Sequence, residues 1–251
     1  MDLVISNSSE ANPPSKTTVE KNGISTLHGP SFFACIGAHE FRSPEMWRAA
    51  LTELVATACL MFSLTCSIIS CLDSGEVHPK LLVPFAVFIV VFLFLMVTVP
   101  LSGGHMSPIF TFIATLKGLI TLSRASIYVL AQCIGSIMGF LVIKIVMNQN
   151  EARNYSLGGC SVNGHGGASG VSADTALVLE FACTFLVLFV GVTVAFDKRR
   201  CNELGLAMVC VIVAGSMALA VFVSITVTGQ PGYAGVGLNP ARHAAPSMTN
   251  E

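Results

Sequence analysis

Charged residues are scarce in this chain of 251 residues. Asp, Glu, Lys and Arg together make up 11% of the sequence and apolar residues 53%, whereas an average soluble domain has about 25% charged residues. So few charges exclude an ordinary soluble domain and favour a protein that lies in a membrane. The net charge of −1 also leaves no basic surface for nucleic acid.

Motifs for covalent or metal chemistry are also lacking. The nine cysteines are scattered, mostly inside apolar runs, and none has CxxC or Cys/His spacing. This distribution favours small packing side chains over metal ligands or disulfides. Cys160 lies in a polar loop and leaves both a disulfide to a neighbouring subunit and a free thiol open. Because no nucleophile–base pair or cofactor motif is present, we expect no enzyme activity, no cofactor and no metal ion.

The start of the chain differs in composition from the rest. Residues 1–45 are polar, rich in Ser, Thr and Pro and without an apolar core segment, which predicts a disordered tail and no cleavable signal peptide. Residues 46–251 contain apolar runs of about 20 residues, long enough to cross a hydrocarbon core of about 30 Å. We predict five transmembrane helices, at 46–70, 81–101, 124–147, 173–196 and 204–227.

The positions of Lys and Arg predict which side of the membrane each loop faces. Nine of them lie in the N-terminal tail and the start of the first helix, in the segment before the third helix and in the loop 197–203. The opposite loops carry only Lys80 and Arg153. Because cytoplasmic loops are enriched in Lys and Arg, we expect residues 1–45 to form a cytoplasmic tail.

Two pairs of residues indicate an internal repeat. Glu53 and Glu180, each followed four residues later by a threonine, are 127 residues apart. Ser107 and Asn239, each followed by a proline, are 132 residues apart. The similar offsets predict a duplicated unit with an odd number of crossings, so that its copies are inverted and enclose a pathway between them. The predicted copies are 46–147 and, incomplete, 173–251.

Each copy contains a glycine-rich turn that opens a helix with proline at its first position. Two half-helices that enter from opposite faces would meet at the membrane centre, where their positive dipole ends oppose cations and protons. Irregular backbone at this depth must be buried in protein or line a watery cavity. Asn239 can cap one half-helix, and Ser107 can cap the other. Arg242 is a candidate functional residue because a charge at membrane depth is costly.

In combination, these features resemble the major intrinsic proteins, the aquaporin family, over residues 46–246. The resemblance rests on Asn239-Pro240-Ala241-Arg242 with Pro246, on Ser102-Gly103-Gly104-His105, and on the two helix glutamates. Three segments resemble the plant X intrinsic proteins: Ser107-Pro108-Ile109, Gly158-Gly159-Cys160 and the insertion 229–233. The implied fold is all-α, an aquaporin-like inverted repeat with five transmembrane helices and two re-entrant half-helices.

The resemblance also assigns roles to individual residues. The pore motifs would be formed by Ser107, Pro108, Ile109, Asn239, Pro240 and Ala241. The selectivity constriction would combine Val87, Val236 and Arg242 with one of two residues of the fifth helix, Val221 or Thr226. Glu53 and Glu180 would accept hydrogen bonds from the turns, and His105 would pack against its turn rather than bind metal.

A constriction of one arginine and two valines implies a passive channel for small uncharged solutes. The expected solutes are glycerol, urea, hydrogen peroxide and metalloid acids, with water as a further candidate. A secondary transporter would add charged coupling sites inside its helices. The family continues into a sixth transmembrane helix, whereas this sequence ends at Glu251, which implies a truncated form. The alternative function is therefore a non-conducting form that assembles with full-length channels or regulates them.

The expected partners and location follow from the same resemblance. Small neutral solutes and the lipid bilayer are the molecules that the chain would contact. Homo-tetramers, or hetero-tetramers with full-length relatives, are the expected assemblies. We expect an integral multi-pass protein of the plasma membrane that binds no nucleic acid.

Overall fold

The structure, a computed structural model, describes residues 37–74, 81–147, 171–228 and 235–243. Every regular element in these ranges is helical. After a 3-10 helix at Ala38–Arg42, the helices are α1 (Pro44–Asp73), α2 (Leu82–Ser102), α3 (Pro108–Leu116), α4 (Leu122–Val146), α5 (Ala173–Val194) and α6 (Lys198–Thr228). The predictions for residues 1–36, for the segments 158–160 and 229–233 and for 244–251 concern parts of the chain outside these ranges.

Five of these helices are long and apolar enough to cross a membrane. Within the described residues they are α1, α2, α4, α5 and α6, each with at least 21 residues. α3 is only a half-helix. Its nine residues span about 13 Å, less than half of a hydrocarbon core of about 30 Å. The predicted all-α membrane fold is therefore confirmed.

The helix ends lie where local chemistry predicts them. Pro44 and Pro108 occupy the first turn of their helices, where a missing N–H leaves no hydrogen bond unmade. Thr121 caps α4 because its side chain accepts a hydrogen bond from the Arg124 N–H at 3.2 Å. α2 ends at Ser102 and is capped by Gly103, whose φ of 95° lies in the left-handed region that glycine adopts without a Cβ clash. The chain can therefore turn back into the bundle directly after α2.

The start of α6 differs from the prediction. The apolar run predicts a start at residue 204, but the helix begins at Lys198. Gly205 interrupts it with non-helical angles, φ 76° and ψ 160°. A polar helical turn, whose Arg199 N–H donates to Asp197 Oδ1 at 3.0 Å, therefore precedes the apolar helix. Hydropathy does not detect this turn because its residues are mostly charged or polar.

α1 and α4 share the most extensive helix interface of the described residues. Two glycines four residues apart on α4 allow this approach, because Gly135 lies against the Leu54 carbonyl and Gly139 against the Ala58 carbonyl. A Cβ at Gly139 would lie 2.6 Å from the Ala58 oxygen. In membranes, where lipid removes the hydrophobic force between helices, small residues permit such close packing. The polar face of α4 is thereby brought to the turn that follows α2.

Gly135→Ala should destabilise the bundle. The added methyl group would collide with the Leu54 carbonyl oxygen, a backbone atom that cannot rotate away, and overpacking of this kind costs about 1–3 kcal/mol. Gly215→Ala is the matched control, because a Cβ at Gly215 in α6 meets no described atom within 4 Å. Thermal unfolding in detergent, followed by size-exclusion chromatography, should give the lower midpoint for Gly135→Ala. Equal midpoints for the two variants would contradict this account of the interface.

Candidate pore site

Glu53 holds the turn after α2 by accepting four hydrogen bonds. This side chain of α1 is fully buried, with 0% exposure. Its Oε1 accepts from the Ser102 hydroxyl at 2.6 Å and from the His105 N–H at 3.1 Å. Its Oε2 accepts from the Met106 N–H at 2.7 Å and from the Gln132 amide at 2.8 Å. A carboxylate has about four lone-pair sites, so all of them are used and the buried group is compensated.

Glu180 makes the corresponding contacts with the second turn. Its Oε1 accepts from the Gly237 N–H at 2.6 Å, and its Oε2 accepts from the Leu238 N–H at 3.3 Å. A third partner, His243 Nε2, lies 3.2 Å from Oε1. The side chains of Glu180 and His243 are 26% and 39% exposed. This carboxylate is therefore less enclosed than Glu53.

The two turns also match in backbone conformation. The residues that donate to the two glutamates are again 132 positions apart, His105 with Gly237 and Met106 with Leu238. Met106 and Leu238 have φ angles of 45° and 57°, in a region that residues other than glycine rarely adopt. Each glutamate thus fixes an unusual backbone angle directly before a half-helix, as expected of an inverted repeat.

The turns are joined to each other through Asn239. Its Oδ1 caps the second half-helix by accepting from the Ala241 N–H at 3.1 Å. Its Nδ2 donates to the Met106 carbonyl of the first turn at 2.9 Å. The half-helix begins at the exposed Pro240, and its buried Ala241 carbonyl accepts from the Ser136 hydroxyl of α4 at 2.9 Å. The second turn is therefore attached both to the first turn and to the first repeat.

Ser107 does not cap α3, contrary to the expectation from the sequence. It lies at the cap position with an extended backbone, φ −151° and ψ 133°, but its side chain makes no cap hydrogen bond. The side chain is 3% exposed, and its Oγ has no hydrogen-bond partner in the described part of the chain. Ser107 lines the central cavity. The single hydroxyl of a serine can either cap the helix or face the cavity. An asparagine can do both, because its amide has an oxygen that accepts and an NH₂ group that donates.

A cavity lies between the two turns and the surrounding helices. It leaves about 100 Å³ in which the centre of a water-sized molecule can lie. Its walls are mainly apolar and include Leu60, Met61, Leu64 and Ile68 of α1 and Val87, Val91, Leu95 and Val99 of α2. Its polar side chains come from the turns and the residues next to them, His105, Ser107, Asn239 and Arg242. Polar groups are thus concentrated where the half-helices begin.

Four predicted constriction residues line this cavity together. Val87, Val221 and Val236 are 5%, 5% and 1% exposed, and Arg242 is 4% exposed. The Val236 N–H donates to the Ser224 hydroxyl at 3.1 Å, which attaches the second turn to α6. Arg242 lies in the first turn of the second half-helix. The structure therefore brings one cationic and three apolar side chains to the same cavity.

The structure also separates the two candidates for the position on the fifth transmembrane helix. Val221 lines the cavity, whereas Thr226 is exposed and is not part of the cavity wall. The Thr226 hydroxyl donates to the Phe222 carbonyl of its own helix at 2.8 Å. Five residues rotate a side chain by about 140° around an α-helix, so both residues cannot face one cavity. Of the two candidates, only Val221 lies where a solute in the cavity could contact it.

The remaining predicted residues surround the first turn. His105 is buried and lines the cavity, with its Nδ1 3.2 Å from the Thr111 hydroxyl. Its ring contacts Tyr128 edge-on, with centroids 5.6 Å apart. Pro108 and Ile109 are half-buried in the first turn of α3. In the described ranges, no three His, Cys, Asp or Glu side chains are placed to hold a metal ion.

Three polar residues that hold the site together were not predicted. Gln132, Ser136 and Ser224 are each 0% exposed. The available signal was their position inside apolar helical runs, where a polar side chain is costly unless it has a partner. Gln132 and Ser136 are also four residues apart, which puts them on one face of α4. Through this face α4 contacts both half-helices, since Gln132 donates to the Thr111 hydroxyl of α3 at 2.9 Å and Ser136 donates to the Ala241 carbonyl.

Two inverted turns that meet in a cavity between membrane-spanning helices are typical of transmembrane channels and transporters. The family model described as "Major intrinsic protein" matches residues 40–251. The chain therefore belongs to the major intrinsic protein family, the aquaporin-type channels that carry small solutes through membranes. It is an integral multi-pass membrane protein.

Individual relatives agree with this assignment. The chain is 29% identical to "Probable aquaporin PIP2-8" of Oryza sativa subsp. japonica, over 81% of this chain and 70% of that protein. It is 28% identical to "Aquaporin TIP1-2" of Zea mays, over 83% of this chain and 77% of that protein. The solved aquaglyceroporin from Plasmodium falciparum has the same fold, with a TM-score of 0.64 and 19% identity over 81% of this chain and 80% of that one. The resemblance to the X intrinsic subgroup stays a prediction.

Replacing each glutamate by glutamine should affect the two turns unequally. Glu53→Gln would put an amide NH₂ among four donors, and an unmade buried hydrogen bond costs about 1–3 kcal/mol. Glu180→Gln should cost less, because a neutral His243 imidazole can present an acceptor nitrogen to the new amide. Thermal midpoints in detergent should therefore fall further for Glu53→Gln. A larger fall for Glu180→Gln would show that its turn depends more on the carboxylate.

Proposed function

We propose that the chain conducts small uncharged solutes, namely glycerol, urea, hydrogen peroxide, metalloid acids and water, without covalent chemistry. The observation that carries this proposal is that Arg242 lines the same cavity as Val87, Val221 and Val236. The guanidinium group supplies hydrogen-bond donors, and the valines supply apolar surface. A small solute with CH groups and one or more hydroxyl groups can contact both.

Ions are excluded by the same set of groups. Arg242 is a buried cation, and two half-helices begin beside it and across the cavity, after Asn239 and Ser107. The positive dipole ends of the half-helices add to its repulsion of cations. An ion of either sign would also have to lose its hydration shell against the apolar walls. Uncharged solutes meet neither barrier.

The middle of the pathway offers two different hydrogen-bonding groups. An asparagine amide has two protons, and the Met106 carbonyl accepts one from Asn239. The other proton supports a donor role for Asn239 toward a passing solute. The Ser107 hydroxyl can donate and accept, which suits the alternating donors and acceptors of a polyol or of water. Ser107-Pro108-Ile109 and Asn239-Pro240-Ala241 are accordingly proposed as the pore motifs.

Orientation, location and assembly belong to the same proposal. Arg48, Lys117 and Arg124, with the turn 198–200, lie at the ends of helices that a five-crossing topology puts on one face. We assign this face to the cytoplasm because cytoplasmic loops are enriched in Lys and Arg. Plasma-membrane location, tetrameric assembly and two repeats at 46–147 and 173–251 complete the proposal.

Val87→Phe should reduce glycerol flux about tenfold or more, which corresponds to about 1.4 kcal/mol added to the barrier. The phenyl ring would enter the constriction, since Val87 is 5% exposed and lines the cavity. Val97→Phe on the same helix is the matched control, because Val97 is 63% exposed. Stopped-flow light scattering of proteoliposomes measures both. Passage of water without any of the larger solutes through the unmodified chain would overturn the proposed selectivity.

A second candidate function is a non-conducting subunit that assembles with other channels of the family or regulates them. An exposed apolar face of α5 favours this second function. In the first repeat, Leu54 and Ala58 of α1 are covered by α4. The corresponding residues of α5, 127 positions later, are Phe181 and Phe185, and they are 74% and 62% exposed. This face can take a helix of another chain in the way that α1 takes α4.

Reconstitution distinguishes the two functions. Vesicles that contain only this chain should pass glycerol faster than protein-free vesicles if it is a channel. Flux at the protein-free level, together with a changed flux when the chain is reconstituted with a full-length relative, would instead establish the second function. Size-exclusion chromatography of the mixture would show whether the two chains assemble.

A further inference from the structure

Phe110 holds the position in the first half-helix that Arg242 holds in the second. The two residues are 132 positions apart, which is also the offset between Ser107 and Asn239. Each is the third residue of its half-helix, and each lines the cavity. The proposed conduction uses Arg242 but gives Phe110 no role. A solute in the cavity therefore meets an aromatic side chain at the position where the other repeat provides a cation.

Phe110 and Arg242 belong to different halves of the pathway. The two turns that precede them meet where Asn239 Nδ2 donates to the Met106 carbonyl at 2.9 Å. In an inverted repeat, the two half-helices leave this meeting point in opposite directions. The third residue of each half-helix lies about 3 Å further along the helix axis than the first. A solute that crosses the centre therefore passes the two side chains one after the other.

The Phe110 ring lies against a glycine of α5. A Cβ added at the buried Gly191 would be 3.1 Å from Phe110 Cε1 and 3.9 Å from Cζ. The equivalent residue of the first repeat, 127 positions earlier, is Leu64, whose side chain lines the cavity. α1 thus contributes a side chain of its own at this level. α5 instead has a glycine, which leaves room for the ring of the half-helix.

A second aromatic side chain lies near the same glycine. Phe196 follows α5 and lines the cavity. Its N–H donates to the Gly191 carbonyl at 3.3 Å, and its ring centroid is 6.5 Å from that of His105. A ring from the half-helix and a ring from the chain after α5 therefore both contribute to the cavity wall in this half of the pathway.

The two halves of the pathway offer different contacts to a solute. The guanidinium group of Arg242 has five N–H donors, whereas the ring of Phe110 has only apolar carbon at its surface. A polar group that loses water without gaining a hydrogen bond is penalised. Narrow solutes can pass the ring with their CH groups against it and their hydroxyl groups turned elsewhere. Wider solutes have to press polar groups against it.

We propose that Phe110 is a second specificity-determining residue, whose ring, seated on Gly191, narrows the pathway on the side of the centre opposite to Arg242. The ring sets the upper limit of solute width in this half, while Arg242 supplies hydrogen-bond donors in the other. This role rests on the proposed function, because only a conducting chain can select solutes. The position of the ring does not rest on it and can be tested separately.

Phe110→Val should widen the pathway and raise the ratio of glycerol flux to water flux. One methylene changes the discrimination of an apolar site about tenfold or more. Because the ring forms only part of the wall, we expect a rise of about threefold or more. Phe112→Val is the matched control, since Phe112 lies on the same half-helix, is 58% exposed and is not part of the cavity wall. Stopped-flow light scattering of proteoliposomes measures both fluxes.

A second variant keeps this test decisive if Phe110→Val folds poorly. Phe110→Leu retains more of the packing volume and should give a smaller rise of the flux ratio in the same direction. Size-exclusion chromatography in detergent shows which variants are folded. An unchanged ratio in a folded Phe110 variant, or an equal change in Phe112→Val, would overturn the proposed role while leaving the channel function in place.

Gly191→Ala tests the seat of the ring. Its methyl group would lie 3.1 Å from Phe110 Cε1, so the ring has to move away from α5 and glycerol flux should fall. In the Phe110→Val background the same substitution should leave glycerol flux nearly unchanged, because no ring is there to be moved. Gly215→Ala is the control in both backgrounds. An equal fall in both backgrounds would show that the ring does not transmit the effect.

The position of the ring is measured without any flux by ¹⁹F NMR of the full chain in detergent. Phe110 is replaced by 4-fluorophenylalanine, and Phe112 is replaced in a control sample. Gly191→Ala and added glycerol should each shift the resonance at position 110 more than that at position 112. Equal shifts at the two positions would overturn the proposal. A response at position 110 in a chain that conducts nothing would confirm the ring in the cavity wall and reject the channel function with its selectivity.

Discussion

The structure depends on two glutamates that hydrogen-bond to the backbone of a turn inside the membrane. Met106 and Leu238 have left-handed backbone angles, which cost a non-glycine residue about 1–2 kcal/mol. Their N–H groups would also have no water to bind at that depth. Glu53 and Glu180 compensate for both costs by accepting these N–H groups. Without the two carboxylates, neither half-helix would start where the cavity needs it.

The two glutamates are equivalent in sequence but not in surroundings. Glu53 accepts from two backbone N–H groups and from the side chains of Ser102 and Gln132. Glu180 accepts from two backbone N–H groups, and its further partner is His243. The first turn is thus held from three directions by α1, α2 and α4. The second is held by α5, by Ser224 of α6 and by its own half-helix, and its attachment to the first repeat adds further support.

The sequence predicted features that depend on composition and spacing. Five apolar runs predicted the crossings, and the offset of 127 residues between Glu53 and Glu180 predicted two equivalent turns. It did not predict features that depend on the direction of one side chain. The Ser107 hydroxyl leaves the helix uncapped, and the choice between Val221 and Thr226 needed the rotation of α6. Polar partners such as Gln132 were hidden because one polar residue hardly changes the hydropathy of a long run.

The hydrogen bonds of the second half-helix give folding a direction. Asn239 donates to the Met106 carbonyl, and Ser136 donates to the Ala241 carbonyl. The four donors to Glu53, by contrast, all lie between residues 102 and 132. A ribosome delivers the N-terminal half first, so the first turn can close on itself while the rest is still being synthesised. It then serves as the template on which the later turn is completed, which makes errors in the first half more damaging to biogenesis than errors in the second.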